Sequence, residues 1–145
     1  MKVKNFITAV ALALFLTGCQ VTAVDYLSHD GRLSQQEVTL VASGVLSSYM
    51  RPDYYHTYDS GYYYDYSDDI IVEDSYIGDV SLVVQDTFYG YNDRNPYRGN
   101  LEIVSDDMII YLDVIDQDYV SVTLVDEYDP SYDVEFITTW VELGF

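Results

Sequence analysis

The chain has 145 residues, 25 of them acidic and six basic, for a formal net charge of −19. That length is one domain's worth of sequence, and the charge excludes nucleic acid as a direct partner, because such a surface repels phosphates. With Cys19 as the only cysteine, an internal disulfide is excluded and the fold must rest on its core alone.

The first segment reads as an address. Lys2 and Lys4 precede an apolar run over residues 6–16. At eleven residues it is too short to span a bilayer, which takes about 20, and it fits a secretion signal. The run closes on Leu16-Thr17-Gly18-Cys19, which resembles the lipobox of bacterial lipoproteins. That resemblance implies that residues 1–18 are removed as a signal peptide and that Cys19 is lipidated, its thiol and its new amino group carrying acyl chains such as palmitate. Gln20, where an aspartate would favour inner-membrane retention, implies sorting to the outer membrane by the same resemblance, and the expected orientation there is toward the periplasm. Residues 19–33 are then the lipidated cysteine and its tether, and residues 34–145 a single acidic domain. Loss of Lys2 and Lys4 leaves four arginines against 25 acids, a net charge of −21 with no lysine. The membrane is then reached through the lipid anchor, and basic proteins or divalent cations are the partners the charge favours. Solubility alone would explain the same surface, since salt screens it beyond about 8 Å.

"YLSHDGRLSQQE", residues 26–37, resembles an EF-hand calcium loop in its second half. Asp30 falls at position five, Gly31 at the sharp turn, Leu33 at the apolar position, Ser34 at nine and Glu37 at twelve. Tyr26 at position one and Ser28 at position three depart from that loop, and no helical pattern leads in from 20–25. The same residues fit a turn followed by a capping box, Ser34 with Glu37, and that reading predicts neither metal nor cofactor. Val38, Val41, Val45 and Tyr49 then recur at helical spacing, predicting a helix over 35–49. Gly44 and several β-branched residues weigh against it, with a pair of short strands as the alternative.

"RPDYYHTYDSGYYYDYSDD", residues 51–69, holds seven tyrosines and five aspartates in nineteen positions. Five aspartates cannot be buried unpaired, and disordered segments avoid aromatic residues. The composition predicts a loop lying on the domain, with some rings packed down and others exposed. Tyrosine gives rigid contact area with a polar tip, so Tyr54, Tyr55, Tyr58, Tyr62, Tyr63, Tyr64 and Tyr66 form a candidate binding loop for a carbohydrate, a peptide or a cationic protein. Cover for a sheet edge is the alternative. Within it, "SGYYY" at 60–64 resembles the Ser-Gly-x-x-Tyr signature of the periplasmic inhibitors of C-type lysozyme, which implies a basic hydrolase as partner. Those inhibitors usually carry disulfide cysteines, which this domain lacks.

From residue 70 the period becomes two. Val80, Leu82 and Val84 alternate with Ser81, Val83 and Gln85, and Leu101 and Ile103 with Glu102 and Val104. Met108, Ile110, Leu112 and Val114 make one wholly apolar face. Val120, Val122 and Leu124 oppose Tyr119, Ser121 and Thr123, and Val134, Phe136 and Trp140 oppose Asp133, Glu135 and Thr139. This predicts half-buried antiparallel strands, separated by turns at 105–107, 116–118 and 126–132. "GYNDRNPYRGN", 90–100, reads as a second Tyr/Asp-rich loop, with Arg94 and Arg98. The expected fold is α+β, one N-terminal helix on an antiparallel meander of five to six strands, with an all-β sandwich or barrel as the alternative.

No catalytic residue is predicted. His29 and His56 are the only histidines, and the chain has no Gly-x-Ser-x-Gly, no Cys–His pair and no metal-spaced histidines. The expectation is a non-enzymatic, lipid-anchored envelope protein that binds another envelope component through its Tyr/Asp-rich loop. The alternative is a periplasmic inhibitor or immunity-type lipoprotein against a basic enzyme.

Overall fold

The computed structural model describes residues 32–65, 70–75 and 77–145. The lipobox with Cys19, the first six positions of the calcium-like loop, His29 and Tyr66 lie outside the described residues.

Ser34 starts α1 (Gln35–Tyr49), the only α-helix among the described residues, through the expected capping box. The Ser34 N–H donates to Glu37 Oε2 at 2.6 Å, and the Glu37 N–H donates to Ser34 Oγ at 3.3 Å. These bonds satisfy helix N–H groups that have no partner within the helix. Val38, Val41, Ala42, Val45, Leu46 and Tyr49 form a continuous buried stripe. Gly44 lies on the opposite, exposed side with open space where a Cβ would go, so it costs the helix only its backbone entropy.

The helix packs on one antiparallel sheet of eight strands: β1 (Tyr55–Tyr58), β2 (Gly61–Tyr64), β3 (Ile70–Ser75), β4 (Gly78–Tyr91), β5 (Pro96–Val104), β6 (Met108–Val114), β7 (Tyr119–Asp126) and β8 (Val134–Thr139). The spatial order is β1-β2-β4-β5-β6-β7-β8, and the 14-residue β4 borders β3 along its first half and β2 along its second. The fold is α+β as expected, and β4 to β8 form the predicted meander. The strand count exceeds five to six because β1, β2 and β3 join it. Segment 51–69, read as a loop, contains a hairpin, and segment 90–100 is loop only between Tyr91 and Pro96. The three aspartates of that segment among the described residues sit outside the strands: Asp59 is in the turn, and Asp53 and Asp65 lie beyond the strand ends. The hairpin therefore forms without burying a carboxylate.

Alternation along β4 to β8 sends Val80, Leu82, Leu101, Ile103, Ile110, Leu112, Val122 and Leu124 inward against the stripe of α1. Each such side chain contributes about 1.5–3 kcal/mol when fully buried. The chain end closes this core. Glu142 Oε2 accepts from Thr138 Oγ1 at 2.7 Å and from the Thr139 N–H at 3.0 Å, which folds residues 140–145 back over the sheet. These bonds hold the Glu142 carboxyl below its ordinary pKa. Trp140 and Leu143 are buried, with Trp140 edge-on to Phe88 at 6.1 Å and to Phe145 at 6.0 Å.

Candidate functional site

The β1–β2 hairpin pairs Tyr55 with Tyr64, His56 with Tyr63 and Thr57 with Tyr62. Strand alternation then divides its rings between two faces. Tyr55, Tyr62 and Tyr64 share the face that carries α1. Tyr62 and Tyr64 are buried, with ring centroids 5.7 Å apart in an edge-to-face pair, and Tyr55 lies 5.0 Å from Tyr62 and 5.6 Å from Tyr64. Tyr49 ties this cluster to the helix: its hydroxyl donates to the Tyr64 carbonyl at 3.1 Å and accepts from the Phe88 N–H at 3.4 Å. Gly90 opposite makes room for Tyr62, because a Cβ there would stand 2.2 Å from the phenol ring. Desolvation, reinforced by the neighbouring phenols, pushes the pKa values of Tyr62 and Tyr64 above the ordinary tyrosine range, that of Tyr62 well above it.

On the other face the side chains stack in rows across the strands. His56 stacks on Tyr63 at 5.2 Å, Tyr63 meets Tyr89 at 5.9 Å, and the Arg98 guanidinium lies over Tyr89 at 4.6 Å. Asp86 ends the row with an ion pair to Arg98 Nε at 3.1 Å. Cross-strand pairs of this kind fix register and each contribute a few tenths to about 1 kcal/mol. A second row holds Tyr58, Tyr91 and Tyr97. The register shift between the Tyr89–Arg98 and Gly90–Pro96 pairs leaves Tyr97 as an extra residue, and its ring stacks on Tyr91 at 4.6 Å and 19°. Tyr58 reaches over Gly61, where a Cβ would come within 2.8 Å of its hydroxyl. Its phenol is held above the ordinary pKa by loss of solvent and then by the Tyr97 phenol beside it. Tyr58 and Tyr91 keep 40% and 46% of their surface in solvent, so these rings are exposed and held at once.

Three turns meet at this end of the sheet: 59–60 of the hairpin, 92–95 between β4 and β5, and 116–118 between β6 and β7. Between them, on the α1 side, lies an open cleft of about 520 Å³ lined by Tyr55, Tyr62, Tyr64, Asp93, Arg94, Asn95, Gln117 and Asp118. The Tyr62 hydroxyl donates to the Arg94 carbonyl at 2.5 Å, and Arg94 Nη1 donates to Gln117 Oε1 at 3.0 Å. Asp93 takes the left-handed backbone conformation, φ 60°, that the turn requires. Asp116 holds the third turn, its Oδ1 accepting from the N–H groups of Asp118 and Tyr119 and its carbonyl from Trp140 Nε1.

The expected binding residues are thus distributed rather than gathered. Tyr55, Tyr62 and Tyr64 line the cleft, Tyr58 and Tyr63 lie on the stacked face, and Tyr54, partly buried, packs against the core. Composition alone did not point to Tyr89, Tyr91 and Tyr97 on the stacked face, nor to Asn95, Gln117 and Asp118 in the cleft. The signal available was the second Tyr/Asp-rich segment, 90–100, which the sheet brings beside the first.

Glu37, the twelfth position of the calcium-like loop, is engaged in the capping box. Among the described residues no group of three or more His, Cys, Asp or Glu is placed to hold a metal ion. Among them too, no helix is long and apolar enough to cross a membrane. Comparison with protein-family models, curated proteins and solved structures found no match to this chain.

Proposed function

We propose that this is a non-enzymatic lipoprotein of the bacterial envelope, anchored in the outer membrane through Cys19 and facing the periplasm, that binds another envelope component with its tyrosine hairpin. One observation carries the reading: Tyr58 and Tyr91 are exposed yet held, Tyr91 stacked on Tyr97 and Tyr58 leaning across Gly61, on a hairpin whose inner rings are fixed in the core. Rings that are already ordered give contact area at little entropic cost on binding. The surrounding acidic surface favours a cationic patch on the partner and speeds its approach.

The inhibitor reading draws on the same charge. Its Ser-Gly-x-x-Tyr positions, however, do not present one surface here, since Ser60 is exposed at the turn while Gly61 and Tyr64 are buried. Capture from an envelope extract separates the two readings. The wild-type chain is expected to retain an envelope component, and a Tyr58→Ser/Tyr91→Ser variant of unchanged melting temperature is expected to lose it by about tenfold. Equal capture by both proteins overturns the hairpin as the binding surface, and recovery of a basic hydrolase favours the inhibitor. Anchoring is tested separately. Cys19→Ser is expected to abolish palmitate labelling and release the chain from the membrane fraction, and unchanged labelling refutes the lipobox reading.

A further inference from the structure

We propose that the cleft beside the hairpin binds a neutral oligosaccharide. This rests on the reading of the hairpin as a binding element, and assigns a ligand class to its inner face. The cleft's composition excludes most other classes. No aliphatic side chain lines it, so it offers nothing to an acyl chain or to the apolar side chains of a peptide. Asp93 and Asp118 outnumber Arg94 along the wall, and with the domain's large negative charge they repel phosphate or carboxylate ligands. An ammonium ligand would meet the Arg94 guanidinium, which Gln117 holds at 3.0 Å, within the same cleft.

A sugar ring matches what remains. Each hydroxyl both donates and accepts, and the wall supplies acceptor carboxylates at Asp93 and Asp118, guanidinium donors at Arg94, and amides at Asn95 and Gln117 that do both. The planar ends of such side chains suit pairs of neighbouring hydroxyls. The C–H face of a pyranose needs a ring to lie against. Tyr55 is 40% exposed at the cleft and is braced by Tyr62 at 5.0 Å and Tyr64 at 5.6 Å, so its ordering is complete before a ligand arrives. The volume of about 520 Å³ falls in the range of small-ligand sites, and the open form lets a longer chain continue past either end.

The full-length chain in detergent is titrated by calorimetry with chitotetraose, cellotetraose and maltotetraose. At least one is expected to bind, with affinity changing less than about twofold between about 0.05 and 0.5 M salt, because no charge is exchanged. Tyr55→Ala, Asn95→Ala and Asp118→Asn are each expected to weaken binding by about tenfold at unchanged melting temperature. The two turn variants keep the test valid should Tyr55→Ala unfold. Tyr58→Ser, on the opposite face, is expected to leave saccharide binding unchanged. Absence of binding by all three sugars up to about 10 mM, a steep loss with salt, or wild-type affinity in the cleft variants overturns the proposal. Should no sugar bind while the Tyr58→Ser/Tyr91→Ser variant still loses its envelope partner, the glycan assignment fails and the hairpin reading stands.

Discussion

Adjacent tyrosines on the hairpin should differ sharply in what they hold together. Tyr62 is 5% exposed, packs against Tyr55, Tyr64 and the bare backbone of Gly90, and donates its hydroxyl to the Arg94 carbonyl. Truncating a buried aromatic ring costs about 3–5 kcal/mol, a large share of the roughly 5–15 kcal/mol that holds a domain folded. Tyr62→Ser is therefore expected to lower the melting temperature by roughly 10–20 °C. Tyr63, one residue on, sits in the outer row between His56 and Tyr89. Tyr63→Ser loses cross-strand stacking worth about 0.5–1 kcal/mol, a shift of only a few degrees. Urea unfolding followed by circular dichroism reads both variants, with an unchanged slope against denaturant confirming that stability alone has moved. Equal destabilisation by the two substitutions, or a larger effect from Tyr63→Ser, refutes the division of the hairpin into a core face and a solvent face. The division also bears on how binding is probed. Replacing Tyr62, Tyr63 and Tyr64 together strips two core rings with one surface ring, so that variant reports on folding, whereas Tyr58 and Tyr91 report on recognition.

Gly90→Ala would set a Cβ 2.2 Å from the Tyr62 ring, and the displacement should cost about 1–3 kcal/mol. In a Tyr62→Ala background most of that cost should vanish, and additive effects in the double-mutant cycle would show that the two do not touch. Gly44→Ala, on the open side of α1, should stabilise the protein by about 0.5–1 kcal/mol in the same urea assay, and destabilisation would mean that this side is covered. The raised pKa values of Tyr62 and Tyr64 act at alkaline pH. Their folded values exceed the unfolded value of about 10, so the stability they contribute is complete below pH 10 and is lost as pH rises toward the folded values. Tyrosinate absorbance should show at least two phenols ionising only as the chain unfolds, and full ionisation of a still-folded protein would contradict their burial.

The helix and the meander were legible because period carries them. The stripe from Val38 to Tyr49 and the alternations from Val80 onward each bury one face, and that requirement writes itself into the sequence. The hairpin was hidden by its composition. In "YYHTYDSGYYYD" both faces of each strand are aromatic, so no apolar–polar alternation marks the period, and the aspartates suggested solvent although they occupy the turn and the flanks. β3 escaped notice because its apolar run, Ile70-Ile71-Val72, is cut short by Glu73 and Asp74. In 90–100 the bulge at Tyr97 breaks the alternation outright. The site was only half visible for the same reason. Its tyrosines stand out in the sequence, but which ring faces which way depends on strand register. Gln117 and Asp118 join the cleft only because the sheet order places the 116–118 turn beside 92–95, and no local pattern carries that.

Photocrosslinking in living cells shows whether the hairpin's exposed, immobilised rings meet another envelope component. A photoreactive phenylalanine analogue is placed at Tyr58 or at Tyr91, with Thr123, in β7 on the same side of the sheet but away from the hairpin, as the comparison position. Both hairpin positions should yield one shared crosslinked species of defined mass, and Thr123 should not. Crosslinks at all three positions alike, or at none, would contradict a recognition surface built on the hairpin.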